Sequence, residues 1–180
     1  MAEITSPEVY FTQIVPQQYA TASAGSPDGL AELTALYEIT GEGGGSYALH
    51  VAGGTVEAVP ADSLAKPDMR VVMSYDDWKV FAESEATDQL VDYATRGKAD
   101  VVKGLKGTVR LELTRSNGDV WHSATTFGGQ DEPAVTVMMT NEDYRAMMGG
   151  ELNSQMAFLT GKLKFEGSLP LLMQIGALTA

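Results

Sequence analysis

Two pairs of strand-like segments, each joined by a glycine-containing turn, constrain the fold of this 180-residue chain most strongly. The first pair occupies residues 36–51 and has a glycine-rich tip at 41–46. The second pair occupies residues 109–127 around Asn117-Gly118, a dipeptide that favours the tight turn of a β-hairpin. Because apolar side chains recur at every second position on both sides of each turn, we expect two antiparallel hairpins.

Helices are expected before, between and after these hairpins, since apolar side chains return there to helical spacing behind capping residues. The first predicted helix covers residues 6–24, begins at Ser6 and is kinked at Pro16, and residues 24–29 form a connector. Further strands are predicted at 55–59, 69–73, 135–139 and 163–165, and further helices after Ser74 and Thr140 and at 87–95, 153–160 and 168–178.

Two short segments of the chain are weakly similar to one another. Residues 73–78 read Met-Ser-Tyr-Asp-Asp-Trp and residues 139–144 read Met-Thr-Asn-Glu-Asp-Tyr, each a strand end, a hydroxyl cap, an acidic first turn and an aromatic residue. The spacings between the other parallel segments are unequal. The similarity is explained equally by a diverged duplication and by a capping pattern that recurs wherever a strand leads into a helix.

Charge and cysteine content exclude several classes of protein. With 12 Lys and Arg against 24 Asp and Glu, the net charge of −12 opposes binding to nucleic acid and to anionic lipid. No stretch approaches the ~18 consecutive apolar residues of a membrane span, so stable membrane insertion is not expected. Without cysteine there is no disulfide, zinc finger or iron–sulfur cluster. The first residues lack the pattern of a signal peptide, and a cytoplasmic protein is expected.

Catalytic patterns are poorly represented. The two histidines, His50 and His122, lie in alternating segments and have no partner residues at metal-ligand spacing. The glycines at 41–46 join two strands, whereas a phosphate-binding loop leads from a strand into a helix. The acidic pairs at 76–77 and 142–143 suit the first turns of helices. We therefore predict no catalytic residue, no metal ligand and no cofactor, although cofactor-free acid–base chemistry on a buried substrate remains an alternative.

Methionine is concentrated near the end of the chain. Six of the nine methionines fall in the last quarter, at positions 138, 139, 147, 148, 156 and 173. Flexible, polarizable thioethers suit an adaptable apolar cavity, and they also serve as ordinary core filling. Composition alone leaves both interpretations open.

Residues 133–178 resemble the sterol carrier protein 2 (SCP2-like) family. The resemblance is carried by the acidic cap and aromatic helix at 139–144, by the run Ala-Phe-Leu-Thr-Gly-Lys-Leu-Lys at 157–164, and by the final amphipathic helix. Residues 7–82 are similar to the family more weakly, with a glycine-tipped hairpin like that of many bacterial members. Because the family domain is shorter, we expect a single domain over 1–180 in which residues 77–130 form an insertion or a diverged repeat.

The resemblance implies an α+β fold. Its mixed, mostly antiparallel sheet has five or more strands, with helices on one face enclosing an apolar tunnel. It also implies non-catalytic binding or transfer of a hydrophobic small molecule such as a fatty acid, acyl-CoA, sterol or other lipid, with an enzyme as a partner. The expected tunnel-lining residues are Met139, Met147, Met148, Met156, Phe158, Leu159, Leu169, Leu172, Met173 and Ile175.

Two other functions compete with lipid carriage. Trp121 and His122 in the extra central segment favour an accessory protein or a cofactor-free enzyme acting on an apolar metabolite. The exposed edge of the Asn117-Gly118 hairpin favours a structural or partner-binding module. The protein is expected to be a monomer or a homodimer, and one sequence does not distinguish them.

Overall fold

The computed structural model describes residues 3–24 and 31–179, which form one eight-stranded sheet with helices packed on one face. This arrangement confirms the predicted α+β fold with its mixed, mostly antiparallel sheet. The strands are β1 (Leu33–Thr40), β2 (Gly45–Ala52), β3 (Thr55–Val59), β4 (Met69–Ser74), β5 (Gly107–Thr114), β6 (Val120–Phe127), β7 (Ala134–Thr140) and β8 (Lys164–Gly167). The α-helices are α1 (Pro7–Val9), α2 (Val15–Ser23), α3 (Tyr75–Glu83), α4 (Gln89–Thr95), α5 (Ala99–Gly104), α6 (Asn141–Met148), α7 (Ser154–Leu159) and α8 (Leu169–Thr179).

The sheet has the order β3-β2-β1-β4-β6-β5-β7-β8, and its two halves share one topology. In each half a hairpin, β1-β2 or β5-β6, is followed by a strand parallel to the first strand of that hairpin. Strand β4 leads directly into helix α3, and strand β7 leads directly into helix α6. The two similar segments, residues 73–78 and 139–144, therefore occupy equivalent places in the fold.

Helices α3 and α6 begin with the same capping arrangement. The Ser74 hydroxyl accepts a hydrogen bond from the backbone N–H of Asp77 at 3.1 Å and donates one to its carboxylate at 2.9 Å. Thr140 and Asp143 repeat these bonds at 3.0 and 2.9 Å. The predicted caps are confirmed, and both aspartates serve the helix ends as expected from the helix dipole.

The N-terminal helix is interrupted near Pro16, as predicted, but by a π turn. Ser6 caps the helix through a bond from the Val9 N–H at 3.2 Å. Residues Tyr10–Ile14 are π-helical, and the N–H of Val15 donates to the carbonyl of Tyr10. Because Pro16 has no N–H and its ring crowds the carbonyl four residues back, a wider turn is favourable there. Apart from Ala24, the predicted connector at 24–29 lies outside the described residues.

Aromatic side chains fill the helix-covered face of the first half of the sheet. Phe11 packs against Tyr37 and Tyr47 with ring centroids 4.5 and 5.0 Å apart. Tyr10 meets Trp78 edge-on at 5.9 Å. All of these rings except Tyr47 are buried, so the N-terminal helix is anchored on β1 and α3 by apolar contact.

The other face of the sheet is polar. Arg70 on β4 and Glu38 on the neighbouring parallel strand β1 form a diagonal ion pair at 2.6 Å, since Arg70 itself lies opposite Leu36. His50 lies on this face within 3.4 Å of Glu32, and His122 lies opposite Glu112 on β5. The helices of this part of the chain therefore pack on one face only.

One helix was not predicted. Helix α5 has six residues, too few for a periodic pattern, and follows α4 after a stop at Gly97, whose φ is +72°. In the described chain, no helix combines the length and apolar character needed to cross a bilayer.

Candidate functional site

A cavity of about 670 Å³ lies in the second half of the fold, between the sheet and α8. Alternate residues of β5, β6 and β7 point into it, because successive side chains of a strand face opposite sides of the sheet. These residues make an apolar floor with one hydroxyl: Val109, Leu111, Thr125, Phe127 and Val137.

Four helices, α4, α6, α7 and α8, contribute to the walls of the cavity. Helix α8 covers it with Leu169, Leu172 and Ile175, and α6 contributes Met147 and Met148. Helix α7 and the residue before it supply three polar and two apolar side chains of the lining: Asn153, Ser154, Gln155, Phe158 and Leu159.

Two tyrosines place hydroxyl groups at the edge of the cavity. Burial raises the pKa of Tyr144 to about 12, opposed by its hydrogen bond with Gln89 and reinforced by the charge of Asp92. Burial also raises the pKa of Tyr93, with a further contribution from Tyr144. Both phenols are therefore neutral at physiological pH and act as hydrogen-bond donors or acceptors rather than as anions.

The structure brings together eight of the ten residues expected to line the tunnel. Met139 and Met156 are the two exceptions. Met139 is 6% exposed and packs in one cluster with Leu113 and Trp121, two residues beyond Val137 on the same strand. Met156 is 52% exposed, because it lies on the solvent side of α7. The eight that line the cavity are Met147, Met148, Phe158, Leu159, Leu169, Leu172, Met173 and Ile175.

The floor of the cavity and its polar edge were not predicted from the sequence. Alternation in β5 and β7 marks Val109, Leu111 and Val137 as one face, but it does not tell which face meets a void. Gln89 and Tyr93 belong to α4, which reaches the cavity only through the tertiary fold.

Apolar side chains of α7 and α8 form an exposed rim at the cavity. Leu159 is 75% exposed and Met173 is 73% exposed, while Phe158 and Leu169 are each 49% exposed. All four also line the cavity. The rim therefore joins the interior to solvent between these two helices.

Most of the negative charge lies in the first half of the sequence, whereas all residues that line this cavity lie in the second half. Residues 1–88 carry 14 acidic and three basic side chains, whereas residues 89–180 carry ten acidic and nine basic ones. The net charges are therefore −11 and −1. Almost all of the charge that opposes anionic surfaces belongs to the first half of the chain.

The lining of the cavity is largely apolar. Neither histidine lines it, and the side chains that do carry no carboxylate or ammonium group. Among residues 3–24 and 31–179, no group of three or more His, Asp or Glu side chains is placed to hold a metal ion.

Residues 89–180 match the model of the SCP-2 sterol transfer family. The chain is 30% identical over 131 residues to "Peroxisomal multifunctional enzyme A" of Dictyostelium discoideum, covering 67% of this chain and 28% of that protein. It is 32% identical over 84 residues to human "Hydroxysteroid dehydrogenase-like protein 2", covering 42% of this chain and 20% of that protein. The chain thus spans less than a third of either relative.

Among solved structures, the sterol carrier protein domain 2 of Helicoverpa armigera is similar, with 25% identity and a TM-score of 0.42. That similarity covers 58% of this chain and 88% of the insect domain. The family model covers just over half of the chain and includes the cavity's floor, helices and rim. The chain belongs to the SCP-2 sterol transfer family.

Proposed function

We propose that this protein binds a hydrophobic ligand in the cavity beneath α8 and transfers it without chemical change. The observation that carries the proposal is the cavity itself, about 670 Å³ with a largely apolar lining. Each methylene group that leaves water for such a site contributes about 0.8 kcal/mol. An alkyl chain or a fused apolar ring system is therefore the class of ligand that gains most from this site.

The few polar groups of the cavity set the orientation of the ligand. The neutral phenols of Tyr93 and Tyr144 and the amide of Gln89 lie together at one edge. A ligand with a single polar end places that end near them, because an unpartnered polar group elsewhere in the apolar lining is costly.

Ligand entry is proposed between α7 and α8, where the exposed rim lies. The two helices approach one another at Gly176 of α8, where an added Cβ atom would be 4.0 Å from the Ser154 hydroxyl of α7. A small separation of the two helices would open the cavity through the rim of Phe158, Leu159 and Met173.

An enzyme is a natural destination for the ligand. Two relatives of this chain are named as a multifunctional enzyme and a dehydrogenase-like protein, and each is several times longer than the aligned part. We propose that this chain presents an apolar substrate to an enzyme partner. A cytoplasmic location stays a prediction, and the Dictyostelium relative is named peroxisomal.

The central segment is proposed to be part of a diverged repeat. Its support is the shared order of β2-β1-β4 and β6-β5-β7 and the matching caps at Ser74 and Thr140. In the first half, aromatic rings of the N-terminal helix lie where the second half has a cavity. One half would then serve stability and the other ligand binding.

Native mass spectrometry after mild purification tests the proposal. We expect a population heavier than the polypeptide by the mass of one lipid-like molecule, and its removal by organic extraction. A protein that carries no ligand and takes none up from a mixture of fatty acids, sterols and phospholipids would contradict it.

A further inference from the structure

A second cavity of about 300 Å³ lies beside the main one, under the loop and helices that connect the two halves. Its lining mixes apolar and cationic side chains. Phe81 and Trp121 form one side, with ring centroids 6.3 Å apart, and Arg115 and Arg145 lie on another. Its walls include residues 80–87, which precede the segment matched by the family model. This cavity therefore depends on the part of the chain outside that segment.

The two cavities share a wall made of side chains. Gln89, Tyr144 and Met148 line both of them. Met148 is an unbranched, flexible side chain. Its rotation would connect the cavities without any change of the backbone.

The arginines of the second cavity have unused capacity for an anion. Within residues 3–24 and 31–179, the Arg145 side chain has no ion pair. Arg115 is 3.8 Å from Asp119, whose side chain is 72% exposed, so this pair is weak. The one carboxylate of the lining, Asp92, is paired with Arg96 at 3.2 Å. Two cationic side chains thus line this cavity in a protein whose net charge is −12.

We propose that the second cavity receives the anionic end of an amphipathic ligand whose apolar chain occupies the main cavity. Arg115 and Arg145 would bind a carboxylate or similar group through charge-assisted hydrogen bonds. The inference rests on the proposed function, and it selects single-chain anions over neutral lipids. Helix α3 and the loop after it, which belong to the first half of the chain, would then take part in ligand recognition.

Trp121 offers a local probe of this arrangement. It lines the second cavity and not the main one, is 8% exposed, and donates a hydrogen bond to the Asp77 carbonyl at 2.7 Å. The other tryptophan, Trp78, lines neither cavity, and its buried N–H has no hydrogen-bond partner. Trp78→Phe therefore removes the second emitter without removing a hydrogen bond.

The experiment measures quenching of Trp121 in the Trp78→Phe variant by 2-bromohexadecanoate and by 16-bromohexadecanoate, with binding of each verified by native mass spectrometry. Bromine quenches on contact, so the acid brominated beside its carboxylate should quench several-fold more than the acid brominated at its far end. Equal quenching, or stronger quenching by the 16-bromo acid, would overturn the inference. If neither acid binds but a sterol or hexadecan-1-ol does, the inference fails and the proposed function stands.

Charge-removing variants supply a second measurement. Arg115→Gln combined with Arg145→Gln should weaken hexadecanoate binding at least about tenfold and leave hexadecan-1-ol binding unchanged. Arg110→Gln is the matched control, since Arg110 is exposed on β5 and lines neither cavity. Equal binding of acid and alcohol by the unmodified protein, with no effect of the double variant, would assign the anionic end to another place while leaving the proposed function intact.

Discussion

The Tyr37 hydroxyl donates a hydrogen bond to the buried carboxylate of Asp88, although 51 residues separate them in sequence. Tyr10 donates to the same carboxylate at 3.3 Å, and the backbone N–H of Leu90 does so at 2.9 Å. Burial raises the pKa of Asp88, while these three bonds oppose that rise. One side chain thereby joins the N-terminal helix, β1 and the start of α4, which carries Gln89 and Tyr93 to the cavity.

Asp88→Ala is expected to lower the free energy of unfolding by about 3 kcal/mol or more, because two buried hydroxyls and a helix N–H lose their acceptor. Asp88→Asn keeps one acceptor oxygen and should cost less. Chemical denaturation measures both, with Asp76→Ala as the exposed control. An Asp88→Ala variant as stable as the control would contradict the role assigned to this carboxylate.

Buried tyrosines should make the protein sensitive to alkali. The pKa values of Tyr93 and Tyr144 are raised above their ordinary 10.0 by burial, in Tyr144 to about 12. Above pH 10 the unfolded chain releases protons that the folded chain keeps, so stability is full below pH 10 and falls as the pH rises. Each such group contributes a loss of about 1.4 kcal/mol per pH unit.

Tyr93→Phe tests this linkage. In the described part of the chain the Tyr93 hydroxyl makes no hydrogen bond, so the variant should match the wild type within about 1 kcal/mol at pH 7. At pH 11 it should be the more stable of the two. Thermal unfolding at both pH values measures this, and an unchanged difference between them would show that Tyr93 ionises normally.

Leu172→Asp should abolish ligand uptake, because a carboxylate in the apolar lining must stay protonated or draw water into the cavity. Gln174→Asp is the control, since Gln174 is exposed on the same helix and lies outside the lining. Uptake is measured by fluorescent fatty-acid binding to variants shown to be folded by circular dichroism. Retained uptake by a folded Leu172→Asp protein would mean that α8 does not line the binding site.

An engineered disulfide should close the proposed entrance. Ser154→Cys combined with Gly176→Cys places two thiols at the contact between α7 and α8, where a Cβ atom on Gly176 would lie 4.0 Å from the Ser154 hydroxyl, and the chain has no other cysteine. Oxidation should slow ligand exchange by about tenfold or more, and reduction should restore it. The two single variants are controls, and identical exchange in the oxidised and reduced forms would place the entrance elsewhere.

Local patterns predicted most of the elements and much of the cavity. Turn residues such as Asn117-Gly118 mark the hairpins, and the caps Ser74 and Thr140 mark helix starts, because these signals act over a few residues. The apolar side chains of α8 were expected at the cavity from the resemblance to the SCP2-like family.

Features that depend on distant residues escaped prediction. The contact of Asp88 with Tyr37 and Tyr10 spans 51 and 78 residues, and nothing in the local pattern around Asp88 distinguishes it from an ordinary helix cap. The second cavity likewise needs Arg115, Arg145 and Phe81 from three separate elements. Met156 was misplaced because a short helix such as α7 gives too few turns to fix its buried side.

Titration with a fluorescent fatty acid tests whether the cavity beneath α8 binds a hydrophobic ligand. We expect saturable binding of one molecule per chain at micromolar concentration, displacement by an unlabelled fatty acid, and loss of binding in Leu172→Asp but not in Gln174→Asp. Non-saturable fluorescence, or equal binding by both variants, would contradict the claim that the cavity beneath α8 carries a hydrophobic ligand.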